Sequence, residues 1–433
     1  MGCVGKNHSM VTRRSGTRVE TGPIGTDADA PDDFAGTSHA VCRVRPRVPR
    51  ANRPGWRSSW LCGAMSCLVL AGGGSLRGQS PPGPAIEEGT GRATAPLKGY
   101  VSEFKALGSR ASIQVYASDA RQADRALRAA RREIDRLELV LSDYDPESEL
   151  STLHTRLSER GEGQVSEDLW RVMLASQDWY ERSDGAFDAS VGTLTRMWRR
   201  ARRRSELPTS VMVGEALAHT GWRSVQLDEA SHTVRSADPE LRFDFGGIGA
   251  GYIIDRVYEG LVESGCERCL INISGDIRCG APPPGKTGWQ IQVGGLQDPQ
   301  SNTPDGDPGQ RSAAVISLQN GAVTTSGDLW QYSVVDGVRR SHIIDPRDGW
   351  GVPGPRSLTV IAATCLDADA GATALSVVPP QDVVETAQRW GELSVRVQWR
   401  DDAGMVRAAQ SDSFPPFVSL DQPAIPNEGI NDE

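Results

Sequence analysis

The sequence is poor in the groups from which hydrolytic and metal-cluster sites are usually built. Its 433 residues include only six histidines, one of them, His8, near the N-terminus, which leaves little material for a histidine-rich metal cluster. Neither a GxSxG nor an HExxH segment occurs, so a serine nucleophile elbow and a zincin helix are both excluded. The longest strongly apolar stretch, Trp60 to Ala71, spans about a dozen residues, against the roughly 20 that a membrane-spanning helix needs. No internal repeat is evident. The formal net charge is −9 and the pI about 5.4. No dense basic stripe is expected on the folded part, so nucleic acid is not an expected partner.

Charge is unevenly spread. Arg43, Arg45, Arg47, Arg50, Arg53 and Arg57 precede the apolar stretch with no acid among them, and Gly72-Gly-Gly-Ser75 follows it. A basic flank, a short apolar core and small residues form an export signal. The expected organisation is a disordered or mis-annotated leader over 1–56, a signal sequence or anchor over 57–75, and a Gly/Pro/Ser-rich linker over 76–97. A folded domain over 98–420 and a tail over 421–433 complete it. This reading makes the protein exported, periplasmic or associated with the cell envelope, with the N-terminal segment available for membrane association.

Of eight cysteines, Cys3, Cys42, Cys62 and Cys67 fall in the leader or signal, leaving Cys266, Cys269, Cys279 and Cys365. The lone Cys266-Glu-Arg-Cys269 pair has redox or half-zinc-site spacing. Without a second pair it reads as buried structural cysteine, with a disulfide open to it in an oxidising compartment.

Within the domain, alternation around Ile113 and Val115 predicts a strand. Ala123, Leu127, Ala130, Ile134 and Leu137 then recur at helical spacing after Ser118-Asp119 as caps. A second helix is expected from about Ser166, burying Leu169, Val172, Met173 and Ser176, and a third over about 250–264. Strands are expected at Leu270–Ile273, Trp289–Val293, Ala314–Leu318 and Leu358–Ala362, with a long loop over 294–312. Helices follow from about Asp367 to Val378 and over about 381–390, then a last strand near Leu393–Trp399. Helices and strands mixed without a βαβ rhythm indicate an α+β fold.

Four segments carry chemistry. Asp244-Phe-Gly-Gly-Ile-Gly-Ala-Gly-Tyr252 places four glycines in six positions between a strand and a helix. Backbone can approach a bulky ligand there, and helix-start N–H groups suit phosphate oxygens. The same residues also suit a tight structural turn. Asp369 and Thr373 lie i, i+4 on a helix, two hard oxygen ligands on one face, or an ordinary polar face. His342, within Ser341-His-Ile-Ile-Asp-Pro-Arg-Asp-Gly349, is suited to phosphate contact or acid–base work, and equally to a bonded core position. Thr324-Thr-Ser-Gly-Asp328 is a phosphate-sized cradle or a turn.

In order along the chain these segments resemble the ApbE family of FAD:protein FMN transferases. The likeness runs from about Ala106 to Phe414. It includes Ala106–Ser109, Leu141-Ser-Asp-Tyr-Asp-Pro-Glu-Ser148, Asp184-Gly-Ala-Phe-Asp-Ala-Ser-Val-Gly192 and the glycine segment at 244–252. Leu270-Ile-Asn-Ile-Ser-Gly-Asp-Ile277, Thr325-Ser-Gly-Asp328, Ser341–Gly349 and Ala368-Asp-Ala-Gly-Ala-Thr373 follow.

The resemblance implies a single T-fold-like catalytic domain. It implies Mg²⁺ held by Asp369, Thr373 and the backbone carbonyl of Gly247. It implies an FAD site lined by Leu107, Tyr144, Ala186, Phe187, Asp188, Asp244, Ala250 and Ile343, with His342 and Asp369 as the catalytic polar groups. The implied reaction is attack by a Thr or Ser hydroxyl of an acceptor flavoprotein on the FMN phosphorus of FAD, releasing AMP. The alternatives are FAD diphosphatase activity or a noncatalytic exported FAD-binding protein. Three departures from the family pattern stand out: Leu107 for a frequent Met, Ala250 for a frequent Lys or Glu, and Ala372 for an acid found in some members.

Overall fold

The computed structural model describes residues 96–204, 206–296, 314–327, 332–335 and 338–418. The leader, the signal, nearly all of the linker, most of the 294–312 loop, Asp328 and the tail lie outside the described residues.

The chain opens with a hairpin, β1 (Lys98–Ala106) and β2 (Ser109–Ala117). Its turn residues, Leu107 and Gly108, both have positive φ. Helix α1 (Ala120–Leu141) follows, its N-terminus capped by the Asp119 carboxylate, which accepts from the Gln122 N–H. Next come α2 (Glu149–Arg160), β3 (Glu162–Gln164), α3 (Glu167–Arg182), α4 (Gly192–Arg204), α5 (Ser210–Ala218), β4 (Val225–Asp228) and β5 (Thr233–Ser236). The chain continues through α6 (Gly249–Glu263), β6 (Cys269–Ile273), β7 (Asp276–Cys279), β8 (Trp289–Val293), β9 (Ala314–Leu318), β10 (Gly321–Gly327), β11 (Tyr332–Val335) and β12 (Val338–Ile344). It ends with β13 (Gly351–Pro353), β14 (Arg356–Ala362), α7 (Cys365–Val377), α8 (Val383–Trp390), β15 (Ser394–Arg400) and β16 (Val406–Gln410).

One eight-stranded sheet, ordered β1-β2-β6-β7-β10-β14-β15-β16, organises the domain. Every neighbouring pair in it is antiparallel, so the α+β expectation holds. The strand period of two assigns residues to opposite faces. Ile113, Val115, Ile271, Ala322, Leu358 and Val360 point into the main core with α1, α6 and α7. Tyr116, Ile277, Val323 and Ile361 point the other way, onto Trp289, Ile291 and Ile316 of the β8–β9 ribbon. Central β14 is buried along its whole length because both faces are covered.

Helices α6 and α7 cross closely over this sheet. Gly251 lies directly against the backbone of Cys365 and Leu366, where a side chain would collide. Asp255 of α6 accepts from the N–H groups of both Cys365 and Leu366 at 2.9 Å, capping α7 from outside. Cys266, Cys269, Cys279 and Cys365 are buried free thiols. Burial pushes the Cys269 thiol up to about 12 and that of Cys279 up to about 11.

The helices expected from periodicity are α1, α3, α6, α7 and α8. The last follows a single 3-10 turn at Pro380–Asp382. Helices α2, α4 and α5 and strands β1 and β16 go beyond the sequence reading. Helix α4 also corrects it, since Arg196, Arg199, Arg200, Arg202, Arg203 and Arg204 form a dense basic stripe.

Candidate active site

A cleft of about 430 Å³ opens where these elements converge, within the roughly 300–1,000 Å³ of small-molecule sites. The loop after α1 contributes Tyr144, and the loop after α3 contributes Ala186, Phe187, Asp188 and Val191. Helix α4 brings Thr195, Trp198, Arg199 and Arg202, while Asp244, Gly246 and Gly247 come from the glycine segment. Ser274 and Asp276 enter from the β6–β7 turn, Thr324 to Gly327 from β10, and Ser341 to Ile344 with Pro346 from β12 and its loop. Asp369 and Thr373 enter from α7.

Asp369 and Thr373, one helical turn apart, therefore do face the same space. Asp369 is buried, and Oδ2 accepts from the Gly251 N–H at 3.2 Å. The start of α6 thus serves a carboxylate, rather than leaving all its N–H groups free for a phosphate. Gly247 packs on Thr373, and a Cβ built on Gly247 would lie 2.7 Å from Thr373 Oγ1. Only glycine lets the backbone at 247 lie this close to the Thr373 side chain.

The sequence reading missed Asp276. Burial raises its carboxyl to about 6. Burial, and then the like charge of Asp276, hold the Asp369 carboxyl well above the usual carboxylate range. Thr324 faces Asp276, yet its buried Oγ1 completes no well-formed hydrogen bond. Two carboxylates, an unpartnered hydroxyl and the Thr373 hydroxyl, with the Gly247 backbone packed against Thr373, form an oxygen-rich corner, the donor chemistry a hard divalent cation accepts. Among the described residues no group of three or more His, Cys, Asp or Glu side chains could hold a metal by itself, so backbone, hydroxyl and substrate oxygens would have to complete the set.

Another part of the lining is built on Arg199. Its guanidinium pairs with Asp143 and with Asp244 Oδ2, the latter at 2.7 Å, and lies 4.3 Å from the centroid of the Tyr144 ring. Asp244 Oδ1 accepts from the Gly246 N–H at 2.8 Å. Tyr144 is 72% exposed, so one ring face is available for stacking on a planar ligand. Asp188 is committed internally, accepting from the Ser190 N–H and hydroxyl and the Trp222 N–H. It shapes the loop that presents Ala186 and Phe187. His342 is exposed on β12, with Ile343 half-buried beside it.

Leu107 and Ala250 are outside the cleft lining. Leu107 occupies the β1–β2 turn and Ala250 the first turn of α6. Ala372 is fully buried in the core face of α7. An acid missing at 372 is therefore no gap in the cleft wall, and Asp276 already stands as a second acid beside Asp369.

The domain is built on one principal antiparallel sheet, an acidic corner and an arginine-anchored aromatic side chain line one cleft, and its described cysteines are buried free thiols. The family model described as "ApbE family" matches residues 107–397, and the chain belongs to that family. It is 28% identical over 341 residues to the FAD:protein FMN transferase of Salmonella typhimurium, covering 78% of this chain and 94% of that protein. It is 27% identical over 338 residues to the FAD:protein FMN transferase of Treponema pallidum, covering 74% and 85%. Among solved structures, the ApbE protein of Thermotoga maritima superposes with a TM-score of 0.62 at 28% identity, covering 73% of this chain and 98% of that one. The flavin transferase ApbE from Vibrio cholerae gives 0.63 at 25%, covering 75% and 100%.

Proposed function

We propose that this chain is an FAD:protein FMN transferase whose cleft binds FAD and passes the FMN half to a Thr or Ser hydroxyl of an acceptor protein, releasing AMP. The observation that carries the reading is that Asp276, Asp369, Thr373 and Gly247 line one cleft together with Tyr144.

The residues present fit Mg²⁺. Asp369, Thr373 and the Gly247 carbonyl would hold it, with Asp276 alongside. Bound Mg²⁺ would supply charge neutralisation at the diphosphate as the link between FMN and AMP breaks. The remaining work belongs to side chains. Tyr144 stacks on a flavin or adenine ring, its position fixed by Arg199, while Arg199 and Arg202 offer guanidinium groups to phosphate oxygens. Gly246 and Gly247 allow the diphosphate to lie against backbone. His342 stands at the rim, where an imidazole nitrogen can take the proton of an incoming hydroxyl or contact a phosphate oxygen. In the transfer, the acceptor oxygen forms a bond to the FMN phosphorus as the bond from that phosphorus to the bridging oxygen breaks, and AMP leaves with that oxygen. We also assign the protein, on its Arg-rich flank and short apolar run, to an exported, periplasmic or cell-envelope location.

The test is incubation of the full chain with FAD, Mg²⁺ and an acceptor protein, followed by in-gel flavin fluorescence and AMP release, with and without EDTA. Fluorescent acceptor with EDTA-sensitive AMP is the expected result. AMP without labelled acceptor would point to a diphosphatase, and bound but uncleaved FAD to a carrier.

A further inference from the structure

Helix α4 does more than close the cleft. Arg199 and Arg202 face the ligand space, while Arg196, Arg200, Arg203 and Arg204 are exposed. At 100° per residue, the arginines form one arc that starts at the cleft wall and turns outward onto the surface. None of Arg196, Arg200, Arg202, Arg203 or Arg204 forms an ion pair with a described acid, whereas Arg199 pairs with Asp143 and Asp244. The local potential is positive enough to be felt by neighbours. Arg242 has its guanidinium pK depressed first by burial and then by Arg196. On a chain whose net charge is −9, such an uncompensated patch is a local exception.

We propose that the outer face of α4 (Arg196, Arg200 and Arg203) is the docking surface for the acceptor protein and takes an acidic segment that flanks the modified hydroxyl. This rests on the transferase reading, because that reaction requires a protein segment to reach the mouth of the cleft. Charge complementarity selects the occupant. Each guanidinium presents a planar fork to a carboxylate, and the arc leads a strand of alternating acids directly to the site where Arg202 lines the cleft. A patch of this kind accelerates encounter and sets register more than it adds raw affinity. An anionic membrane surface is the competing occupant, since Val211 and Met212 on neighbouring α5 are exposed and apolar.

The experiment uses the full chain and two fluorescein-labelled peptides. Each carries one central Thr, flanked by four Asp/Glu residues in one peptide and by four Asn/Gln residues in the other. Anisotropy is read at low and high salt. The acidic peptide is expected to bind about tenfold tighter than the neutral one at low salt, from three exposed charge pairs. That preference should vanish in Arg196→Gln/Arg200→Gln/Arg203→Gln, while Mg²⁺-dependent FAD cleavage and the melting temperature of the variant stay as in the wild type. Equal binding of the two peptides, or an undiminished preference in the triple variant, would overturn the proposal. So would arginine-dependent capture of phosphatidylglycerol vesicles with no peptide preference, which would assign the face to a membrane. Absence of FAD cleavage by the wild type would instead count against the transferase reading, and the binding comparison is independent of it.

Discussion

Replacing Gly247 with Ala tests the oxygen corner without removing any oxygen from it. The new Cβ would lie 2.7 Å from Thr373 Oγ1 and 2.9 Å from Cγ2, whereas ordinary contact begins at about 3.4 Å. Thr373 must therefore retreat by about 0.5–0.7 Å or change rotamer. In a helix Thr has two accessible χ1 wells, and the alternative one swings Oγ1 out of the corner. Thr373 is half-buried, so the overpacking strain should be at the low end of the usual range, about 1 kcal/mol. The chemical cost is larger, because misplacement approaching 1 Å lowers turnover by up to about 100-fold. We expect AMP release from FAD at saturating Mg²⁺ to fall about 10- to 100-fold, with a small loss in urea midpoint. The mechanism is checked by a double-mutant cycle. Thr373→Ala removes Oγ1 and Cγ2, so adding Gly247→Ala to it should cost less than about threefold more. If the two single losses multiply instead, the contact is not how Gly247 acts, and the argument fails.

Asp369→Asn should abolish Mg²⁺-dependent FAD cleavage, yet leave the metal-free protein at least as stable as the wild type. It removes a like charge from Asp276, and an amide oxygen can still accept from Gly251 N–H; retained turnover, or a large drop in melting temperature without metal, would refute this. Arg199→Met strands the carboxylates of Asp143 and Asp244 and frees Tyr144. With Arg199 still 20% exposed, the cost should be about 2–3 kcal/mol, below a fully buried pair, together with a several-fold rise in the KM for FAD. A further prediction concerns acid. Burial, then the charges of Arg242 and Arg196, hold buried His154 down to about 3 from 6.5, and its Nε2 accepts from the Phe243 N–H. Between those values the unfolded chain binds the extra proton, so this group makes stability rise with pH across that window and fall as pH drops below about 6.5. His154→Gln, which keeps an acceptor but cannot titrate, should flatten the acid limb by about 2 kcal/mol between pH 6.5 and 5. Asp255 and Asp276, each raised to about 6, act in the opposite sense, so the wild-type minus variant difference is the quantity to measure. Identical acid limbs would remove His154 from the account.

What was legible in the sequence followed from local periodicity. Ala123 to Leu137 announce α1 because one stripe of an otherwise charged helix is apolar, and Asp119 is its cap as expected. The pair Asp369 and Thr373 was legible because i, i+4 spacing fixes a shared face whatever lies above it. Helix α4 was not, because only Gly192, Leu194 and Ala201 of its residues are buried. Its arginines form a solvent and cleft face, with no apolar stripe for a period search to find. Edge strand β16 is mostly exposed and lacks a buried alternation for the same reason.

Asp276 is the instructive omission. The segment lies within the family-like stretch 270–277, but periodicity and composition do not distinguish Ile273-Ser-Gly-Asp276 from the second half of an ordinary hairpin turn, and Ser274 and Gly275 do have the positive φ of one. Its role is created by topology. Strand β7 pairs with β10, and β10 lies under α7, so the first residue of β7 meets a carboxylate 93 positions further along the chain. Neither acid has an ion-pair partner among the described residues; burial drives both carboxyls upward, and the like charge of Asp276 adds to this at Asp369. Such a pair is a standing cost to the empty fold unless it stays protonated or meets a cation. Added Mg²⁺ should therefore raise the melting temperature of the wild type in the absence of FAD, with the gain growing as pH rises through about 6 and Asp276 ionises. Asp276→Asn should reduce that gain and Asp369→Asn abolish it. A melting temperature indifferent to Mg²⁺ at every pH would mean that the two carboxylates share a proton for structural reasons alone.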